Sequence, residues 1–223
     1  MFSYLNRPTY RVIGAQWALL LLGLIFSLTF SLTASAQSAF KYNYVEVAYL
    51  IGEFEFVDSE VDTKGYEITA QFELSPSFVL GGSYRSLEGD ESELTTAGPR
   101  TLNFDASGPS VYSYYHSPVG VQSDFILGAL LDMSELEAGV QGEALTLNQN
   151  DDTSILFTGL RHRLSGLEIR AQWFYNLDAE DNEDQWSYKI DVLSGEPTGL
   201  QLGFQITPDN EGDVLGVSIR QSY

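Results

Sequence analysis

The chain has 223 residues and is strongly acidic, with 31 Asp and Glu residues against 11 Lys and Arg and a formal net charge of −20. This sign of charge excludes binding to nucleic-acid phosphates. The absence of cysteine from the sequence excludes disulfides and thiolate metal sites. We predict no cofactor and no metal centre, and the length suits a single domain.

The N-terminus has the pattern of a secretory signal peptide. A start with two arginines precedes an almost entirely apolar stretch at 12–32, and Ala-Ser-Ala at 34–36 matches a signal-peptidase site. An uncleaved membrane anchor is the alternative, because an apolar run of about 20 residues can span a bilayer. We predict a signal peptide over 1–36 and one mature domain over 37–223. Nine basic residues then oppose 31 acids, a mature net charge of −22.

Apolar and polar residues alternate in about ten segments of the mature chain. In one of them Leu167 and Trp173 would share one face of a strand, with Glu168 and Arg170 on the other. A period of two places alternate side chains on opposite faces of a sheet. Repeated segments of about ten residues after an export signal predict an all-β fold, a transmembrane antiparallel up-and-down β-barrel with lipid outside and a polar lumen inside.

Ten strands are predicted, with eight as the alternative. They lie at 41–55, 65–74, 77–87, 101–116, 123–134, 153–164, 167–178, 186–194, 199–207 and 213–223. Gly108 and Pro109 interrupt the fourth strand. Because proline removes a ladder hydrogen bond, a bulge or a late strand start is expected there.

The connections between these strands alternate between two kinds. Four are short and carry a single acid, Glu196, whereas the other five carry twenty of the 31 acids. In an up-and-down barrel every second connection emerges at the same end, which predicts one negative rim and one nearly neutral rim. Outer-membrane barrels have short periplasmic turns and longer external loops, so the acidic rim is predicted to face outward. The loop acids are Asp58, Glu60, Asp62, Glu88, Asp90, Glu91, Glu93, Glu135, Glu137, Glu143, Asp151, Asp152, Asp178, Glu180, Asp181, Glu183, Asp184, Asp209, Glu211 and Asp213.

The chain ends in an aromatic residue, Tyr223, with Leu215, Val217 and Ile219 at even spacings before it. This pattern resembles the C-terminal signal that the outer-membrane barrel-assembly machinery reads. We therefore predict Tyr223 as an assembly signal, and the assembly machinery and periplasmic chaperones as partners during biogenesis.

Several short motifs resemble a family of small Gram-negative outer-membrane β-barrel proteins. Tyr-Asn-Tyr-Val-Glu at 42–46 is similar to the start of their first strand, and Gly-Gly-Ser-Tyr at 81–84, Gly-Leu-Arg at 159–161 and Arg220 are further similarities. The resemblance covers most of 40–223 in strand order. It implies a bacterial outer-membrane location after signal-peptide-dependent export, contact with outer-membrane lipid and lipopolysaccharide, and a role at the cell surface. It implies no defined ligand and no catalytic residues.

The alternation also predicts a charged lumen. The thirteen residues predicted to point inward are Glu46, Glu67, Glu73, Arg85, Asp124, Asp132, Arg161, Arg163, Glu168, Arg170, Lys189, Asp191 and Arg220. The bases gather on the later strands and the acids mainly on the first, second and fifth, so two oppositely charged arcs are expected to face each other. Eight strands leave an interior that side chains just fill. We therefore favour an ion-pair network that plugs the lumen, with a narrow charged pore as the alternative.

The function predicted from these features is a non-enzymatic surface barrel for envelope integrity, adhesion or surface interaction. A narrow pore for ions or small solutes is the alternative. A lipid-modifying enzyme is a remote alternative, since it requires a histidine with serine or acid partners. His116 is predicted at a short turn and His162 is predicted to point outward, and neither has a recognisable triad motif nearby.

The acidic loops are also candidate sites for divalent cations. The segment 178–184 is rich in carboxylates but lacks the glycine and the terminal Glu spacing of an EF-hand loop. Weak association with divalent cations, bridging to lipopolysaccharide, is therefore one interpretation. A solvated, repulsive surface is the other, and a run of like charges usually has that role.

Overall fold

The computed structural model describes residues 40–56, 59–95, 98–140, 146–150, 152–179, 185–209 and 212–223. The strands in these ranges are β1 (Tyr44–Phe56), β2 (Ser59–Ser75), β3 (Phe78–Thr95), β4 (Gly98–Pro118), β5 (Ser123–Asp132), β6 (Glu135–Val140), β7 (Thr146–Asn150), β8 (Thr153–Leu164), β9 (Leu167–Asn176), β10 (Trp186–Gly195), β11 (Leu200–Asp209) and β12 (Gly212–Ser222). Across the described residues, no helix has the length and apolarity needed to cross a membrane. The predicted signal peptide lies outside the described residues.

Ten of these strands close into a barrel. Each pairs antiparallel with the next in the order β1, β2, β3, β4, β5, β8, β9, β10, β11, β12, and β12 pairs back on β1 from Tyr44–Ser222 to Phe54–Gly212. The predicted ten-stranded up-and-down barrel is confirmed, and the eight-stranded alternative is wrong. Every ring strand has a partner on both sides, so its backbone groups are paired without disulfides.

The two ends of the barrel differ. At one end, which we call the turn end, Ser165 and Gly166 connect β8 to β9 as a two-residue turn with φ values of 36° and 93°. Positive φ at both central residues matches the right-handed twist of a hairpin, and the glycine allows it at no steric cost. β1 starts and β12 finishes at this end, where the backbone N–H of Tyr223 donates to the carbonyl of Asn43. We call the opposite end the far end.

The wall rises higher on one side of the far end. β2, β3 and β4 have 17, 18 and 21 residues, whereas β8 to β11 have 10 to 12. β6 pairs with the upper part of β4, and β7 pairs with β6. We call β2, β3, β4 and β6 the tall wall.

The tall wall corrects three of the expected acidic loops. Glu60, Asp62, Glu88 and Asp90 lie within β2 and β3, and the segment expected as a third loop contains β6 and β7. The acidic composition suggested loops, but a strand that extends beyond the apolar band of the barrel surface can carry acids at every second position. The alternation of side chains therefore predicts these strands better than the composition does.

The chain keeps its register past Gly108 and Pro109. Opposite β4, the line of β5 ends at Asp132 and β6 resumes at Glu135 with the same register, so no extra residue is inserted. The expected bulge is wrong, and β4 runs through this point without a break. Gly108 is needed because a Cβ there would lie 2.5 Å from the Cα of Ser134.

Apolar residues cover the outer surface of the barrel and charged residues are buried inside it. Val47, Ile68 and Ile219 are 45–53% exposed, while the neighbouring inward residues Glu46 and Arg220 are buried. This distribution is the reverse of that in a water-soluble sheet protein, where apolar side chains form the interior.

Candidate functional site in the lumen

Aromatic and aliphatic side chains fill the turn end of the lumen. Phe40, Tyr42, Tyr114, Ile126 and Phe157 form one cluster in which each side chain is buried. Phe40 and Tyr42 belong to the segment before β1, which was predicted to be the start of the first strand. That segment instead enters the mouth of the barrel, and we call residues 40–43 the entry segment.

Several walls hold the entry segment in place. The hydroxyl of Tyr42 donates to Oδ2 of Asp124 on β5 at 2.7 Å, and Nε2 of Gln71 on β2 donates to the carbonyl of Tyr42 at 2.8 Å. The guanidinium of Arg161 on β8 lies 4.5 Å from the ring centres of both Phe40 and Tyr42. These contacts come from β2, β5 and β8, so the entry segment is held inside the turn end of the lumen.

His116 lies inside this layer. Its ring is fully buried and stacks on Tyr42, with ring centres 3.8 Å apart. The ring nitrogens lie 3.4 Å from Oδ2 of Asp124 and 3.7 Å from Oε1 of Glu73, and neither has a hydrogen-bond partner in the part of the chain that the structure describes. The position predicted for His116 was wrong, because β4 continues to Pro118 and carries the ring into the lumen.

A group of ion pairs lies beside the aromatic cluster, and its centre is Glu168. This carboxylate is buried and accepts from Nε and Nη2 of Arg161 at 2.9 and 2.5 Å. Nη2 of Arg163 lies 3.4 Å away and Nη1 of Arg220 lies 3.6 Å away. The attraction of three guanidinium groups to this carboxylate offsets the free-energy cost of removing it from water.

Arg220 connects this centre to the first strand. Its Nε and Nη2 both donate to Oε2 of Glu46, at 2.9 and 2.6 Å. The guanidinium also lies 4.0 Å from the ring centre of Tyr44. The arginine is fully buried, so β12 and β1 are joined by a desolvated ion pair as well as by their backbone ladder.

The remaining pairs extend the layer around the ring. Nε of Arg170 lies 2.7 Å from Oδ2 of Asp191, and Nη2 of Arg85 lies 2.9 Å from Oε2 of Glu67. Nζ of Lys189 lies 3.5 Å from Glu67 and 3.9 Å from Asp191, which joins the two pairs.

The pairing pattern differs from the expected arcs. Glu46–Arg220, Glu67–Arg85 and Asp191–Arg170 are directly opposite on neighbouring strands, and so are Arg163 and Glu168. Among the ion pairs of the described residues, Lys189–Glu67 and Arg220–Glu168 join strands that are not neighbours, and so does the His116–Glu73 contact. Opposite residues on one face have Cβ atoms about 5 Å apart, so pairs between neighbouring strands form readily. Most pairs therefore form along the wall, and Lys189–Glu67 joins the expected basic and acidic arcs.

The thirteen inward predictions thus have three outcomes. Ten of the residues form the arginine and lysine pairs with carboxylates, and Glu73 and Asp124 flank His116. Asp132 lines the lumen, but no described cation lies within ion-pair distance of its carboxylate. Whether this network plugs the barrel or lines a pore is a question for the proposal below.

A cavity of about 220 Å³ lies in the lumen beside the ion pairs. Its charged lining comes from Glu46, Glu67, Arg85, Asp132, Arg170 and Lys189. Its apolar lining comes from Leu130, Ile155, Phe157 and Phe174 on β5, β8 and β9. The side chain of Arg85 is 41% exposed although it points inward, so water reaches this part of the lumen.

A second apolar cluster lies inside the tall wall. Its buried members are Ala48, Leu50, Val61, Leu87, Leu102, Phe104, Ala138 and Val214, with Phe54 stacked on Phe104. The sequence analysis did not predict this cluster. One feature of the sequence could have predicted the cluster. The alternation of polar and apolar residues is lost at 49–51, where Tyr-Leu-Ile places apolar residues on both faces of the strand.

His162 has a partner that the sequence analysis missed. Its Nδ1 lies 2.8 Å from Oγ of Ser123, its direct neighbour across β5 and β8. Arg161 and Asp124, the adjacent residues, are buried inside, so the Ser123–His162 pair is on the outer side of the wall. No carboxylate that would complete a triad forms an ion pair with His162 among the described residues. The pair therefore lacks the third group that orients a catalytic histidine.

Within the described residues, no group of three or more His, Cys, Asp or Glu side chains could hold a metal ion. Most of the acidic segment 178–184 lies outside the described residues, so its association with divalent cations stays a prediction.

No protein-family model matches the chain, and no characterised protein matches its sequence. Several solved structures have a similar fold. The transport unit of the autotransporter AIDA-I from Escherichia coli has a TM-score of 0.48 at 10% identity, over 86% of this chain and 92% of that one. The translocator domain of autotransporter NalP from Neisseria meningitidis has a TM-score of 0.46 at 11% identity, over 94% and 97%. Neisserial surface protein A has a TM-score of 0.40 at 10% identity, over 81% and 96%. The function of this chain does not follow from theirs.

Proposed function

We propose that the protein is a non-enzymatic β-barrel of the bacterial outer membrane, with a closed lumen and a role at the cell surface. The observation that carries this proposal is the reversed distribution of polarity. Large apolar side chains such as Val47 and Phe72 are half exposed on the outside, while Arg161 and Arg220 are buried within. Lipid around the barrel would cover the apolar surface and leave the charges in the lumen.

Orientation follows from the two ends. The turn end would face the periplasm, since short turns are typical of that side, and the far end with the tall wall would face outward. The chain would reach the membrane after signal-peptide-dependent export, with Tyr223 read by the assembly machinery. Outer-membrane lipid and lipopolysaccharide would then surround it.

A closed lumen is supported by the side chains that fill the turn end. The entry segment and the aromatic cluster lie there, and the ion pairs of Arg161 and Arg220 lie beside them. Ten strands are only two more than the eight whose interior side chains just fill, so side chains are expected to fill most of the lumen. A barrel so filled is suited to a structural or adhesive role rather than to bulk transport.

The surface role is supported by the outer face of the barrel at the far end. Acids stand directly opposite each other there: Asp213 on β12 faces Glu53 on β1, which faces Asp62, and Glu88 faces Asp105, which faces Glu137. Like charges directly opposite are destabilising. These acids therefore do not serve stability. A strongly solvated face that contacts partners or cations outside the cell is a better reason for their presence.

The proposal is tested first by conductance. Protein refolded in detergent should float with lipid vesicles and migrate as a heat-modifiable barrel, and in planar bilayers it should be silent. The double variant Phe40→Ala with Tyr42→Ala should produce steps, because it removes the aromatic closure. Tyr66→Ala, on the outer surface, is the matched control and should stay silent. Recovery of the native protein in a soluble fraction would overturn the membrane assignment.

A narrow pore is the second candidate function. The 220 Å³ cavity and the water-exposed Arg85 favour it, since they show that part of the lumen is hydrated. Stable conductance steps from the native protein would establish the pore in place of the closed barrel. If neither the native protein nor either variant conducts, the lumen is closed and the ion pairs alone are enough to close it.

The surface role has its own test. Cells of a Gram-negative host that display the barrel should lose attachment to a cationic surface when Glu88, Asp105 and Glu137 are all changed to Lys. The same positions changed to Gln, Asn and Gln should give an intermediate effect, because they remove charge without reversing it. Equal attachment by all three strains, with equal amounts of folded barrel, would argue against a role for this face.

A further inference from the structure

The luminal cavity has one feature that the closed-barrel proposal does not use, which is an uncompensated carboxylate. Asp132, at the end of β5, accepts from the hydroxyl of Ser134 at 2.6 Å and from its backbone N–H at 3.2 Å. Both bonds go to Oδ1 and neither donor is charged. No arginine, lysine or histidine of the described chain forms an ion pair with this group.

The other charged groups of the cavity are already matched. Arg85 and Lys189 hold Glu67, and Arg170 holds Asp191. The remaining carboxylate of the lining, Glu46, accepts from Nε and Nη2 of Arg220. A ligand anion would have to displace one of these carboxylates, whereas a ligand cation would meet Asp132 without displacing anything.

The wall beside Asp132 is apolar. Leu130 lies two residues before it on β5, and Ile155 is directly opposite Leu130 on β8. Phe157 and Phe174 continue the surface toward the turn end, with ring centres 5.7 Å apart. A carboxylate at one edge of an apolar and aromatic surface is complementary to an ammonium group carried by an apolar body.

The volume of the cavity and the negative charge of the protein restrict the class of ligand further. The cavity volume of about 220 Å³ is below the 300–1,000 Å³ typical of drug-sized ligands, so only a small molecule fits. A chain with 31 acids and 11 bases, and with acids on its outer face, raises the local concentration of cations. We propose that the cavity is a binding site for a small organic monocation, an ammonium on Asp132 with an apolar or aromatic body against Phe174 and Leu130.

This inference goes beyond the proposed function and does not depend on whether the barrel conducts. The test is isothermal titration calorimetry of the refolded, heat-modifiable barrel with 2-phenylethylammonium. The requirement for a positive charge is checked with 3-phenylpropionate, which has a similar body and the opposite charge. We expect saturable binding of the cation and none of the anion.

Variants locate the binding. Asp132→Asn should weaken the cation about tenfold or more, because it removes a charge-assisted contact and keeps the shape. Asp105→Asn removes an acid from the outer face of the tall wall and should leave the affinity within about twofold, since that charge is solvent-screened. Phe174→Ala is a second cavity variant, and it should weaken the cation without creating affinity for the anion.

Three results would overturn the inference. They are absence of saturable heat for the native barrel at millimolar cation, equal binding of the cation and the anion, and unchanged affinity in folded Asp132→Asn protein. Equal weakening by Asp132→Asn and Asp105→Asn would also overturn it, since attraction by the overall charge would then explain the binding. A conducting barrel that binds the cation at Asp132 would refute closure while supporting this site.

Discussion

Truncation of Arg161 should destabilise the barrel severely. The side chain is 2% exposed, donates twice to Glu168 and lies against the rings of Phe40 and Tyr42. Arg161→Ala therefore removes an ion pair and two ring contacts together. It also withdraws the group that ties the entry segment to β8.

The size of the effect can be worked from these contacts. Breaking a buried ion pair costs about 3–5 kcal/mol. Arg163 and Arg220 remain 3.4 and 3.6 Å from Glu168, so the carboxylate is not left alone and the lower end, about 3 kcal/mol, applies. Loss of two cation–π contacts adds about 0.5–1 kcal/mol each. The sum, about 4–5 kcal/mol, corresponds to a fall in melting temperature of roughly 10–20 °C for a chain of this size.

The assay is thermal unfolding of the detergent-folded barrel, followed by circular dichroism and by heat-modifiable migration. Arg163→Ala is the matched control on the same strand. Its side chain is 18% exposed and its guanidinium lies farther from Glu168 than that of Arg161, so it should cost less than half as much. Glu88→Ala on the outer face should change the melting temperature little. Arg161→Ala combined with Glu168→Ala should cost less than the sum of the two single changes, because no unpaired carboxylate remains. Melting of Arg161→Ala and Glu88→Ala at the same temperature would refute the buried-pair reasoning.

Three further outcomes are expected. Gly108→Val should lower the yield of heat-modifiable barrel because its side chain meets a neighbouring backbone, whereas Gly120→Ala in an open turn should fold normally; equal yields would contradict the close approach. Val47→Arg should cost about 2–4 kcal/mol in lipid vesicles, whereas Glu53→Arg above the apolar band should cost little, and similar urea midpoints would argue against the lipid-facing assignment. His116→Phe should match or exceed the native melting temperature, since it keeps the stacking and removes two buried nitrogens that have no hydrogen bond within the described residues; a marked loss would show that the imidazole is needed.

Much of the fold could be predicted because a strand exposes its two faces strictly in turn. All ten ring strands were predicted, eight of them to within three residues at each end, since an apolar outer face and a polar inner face alternate at every second residue. The start of β2 and the end of β3 were harder to predict from the sequence, because acids beyond the apolar band occur in strands and in loops alike. The hairpin of β6 and β7 was missed for that reason.

The inward position of residues such as Glu46 and Arg220 followed from parity, but their partners did not. Parity states which face a side chain is on and gives no information about register. Register alone places Glu46 opposite Arg220, and only the path of the chain before β1 brings Tyr42 onto His116. The Ser123–His162 contact depends on register in the same way.

The sequence by itself determined the barrel class, the strand order and the face on which each charge lies. These properties depend on local periodicity and on the contrast between an apolar outer face and a polar lumen. Only the tertiary structure decided which charges pair, how the entry segment packs inside the turn end, and that Asp132 has no counter-ion among the residues that the structure describes. Such contacts join residues far apart in the chain, as Tyr42 and Asp124 show, and they depend on strand register and lumen geometry that no local pattern encodes.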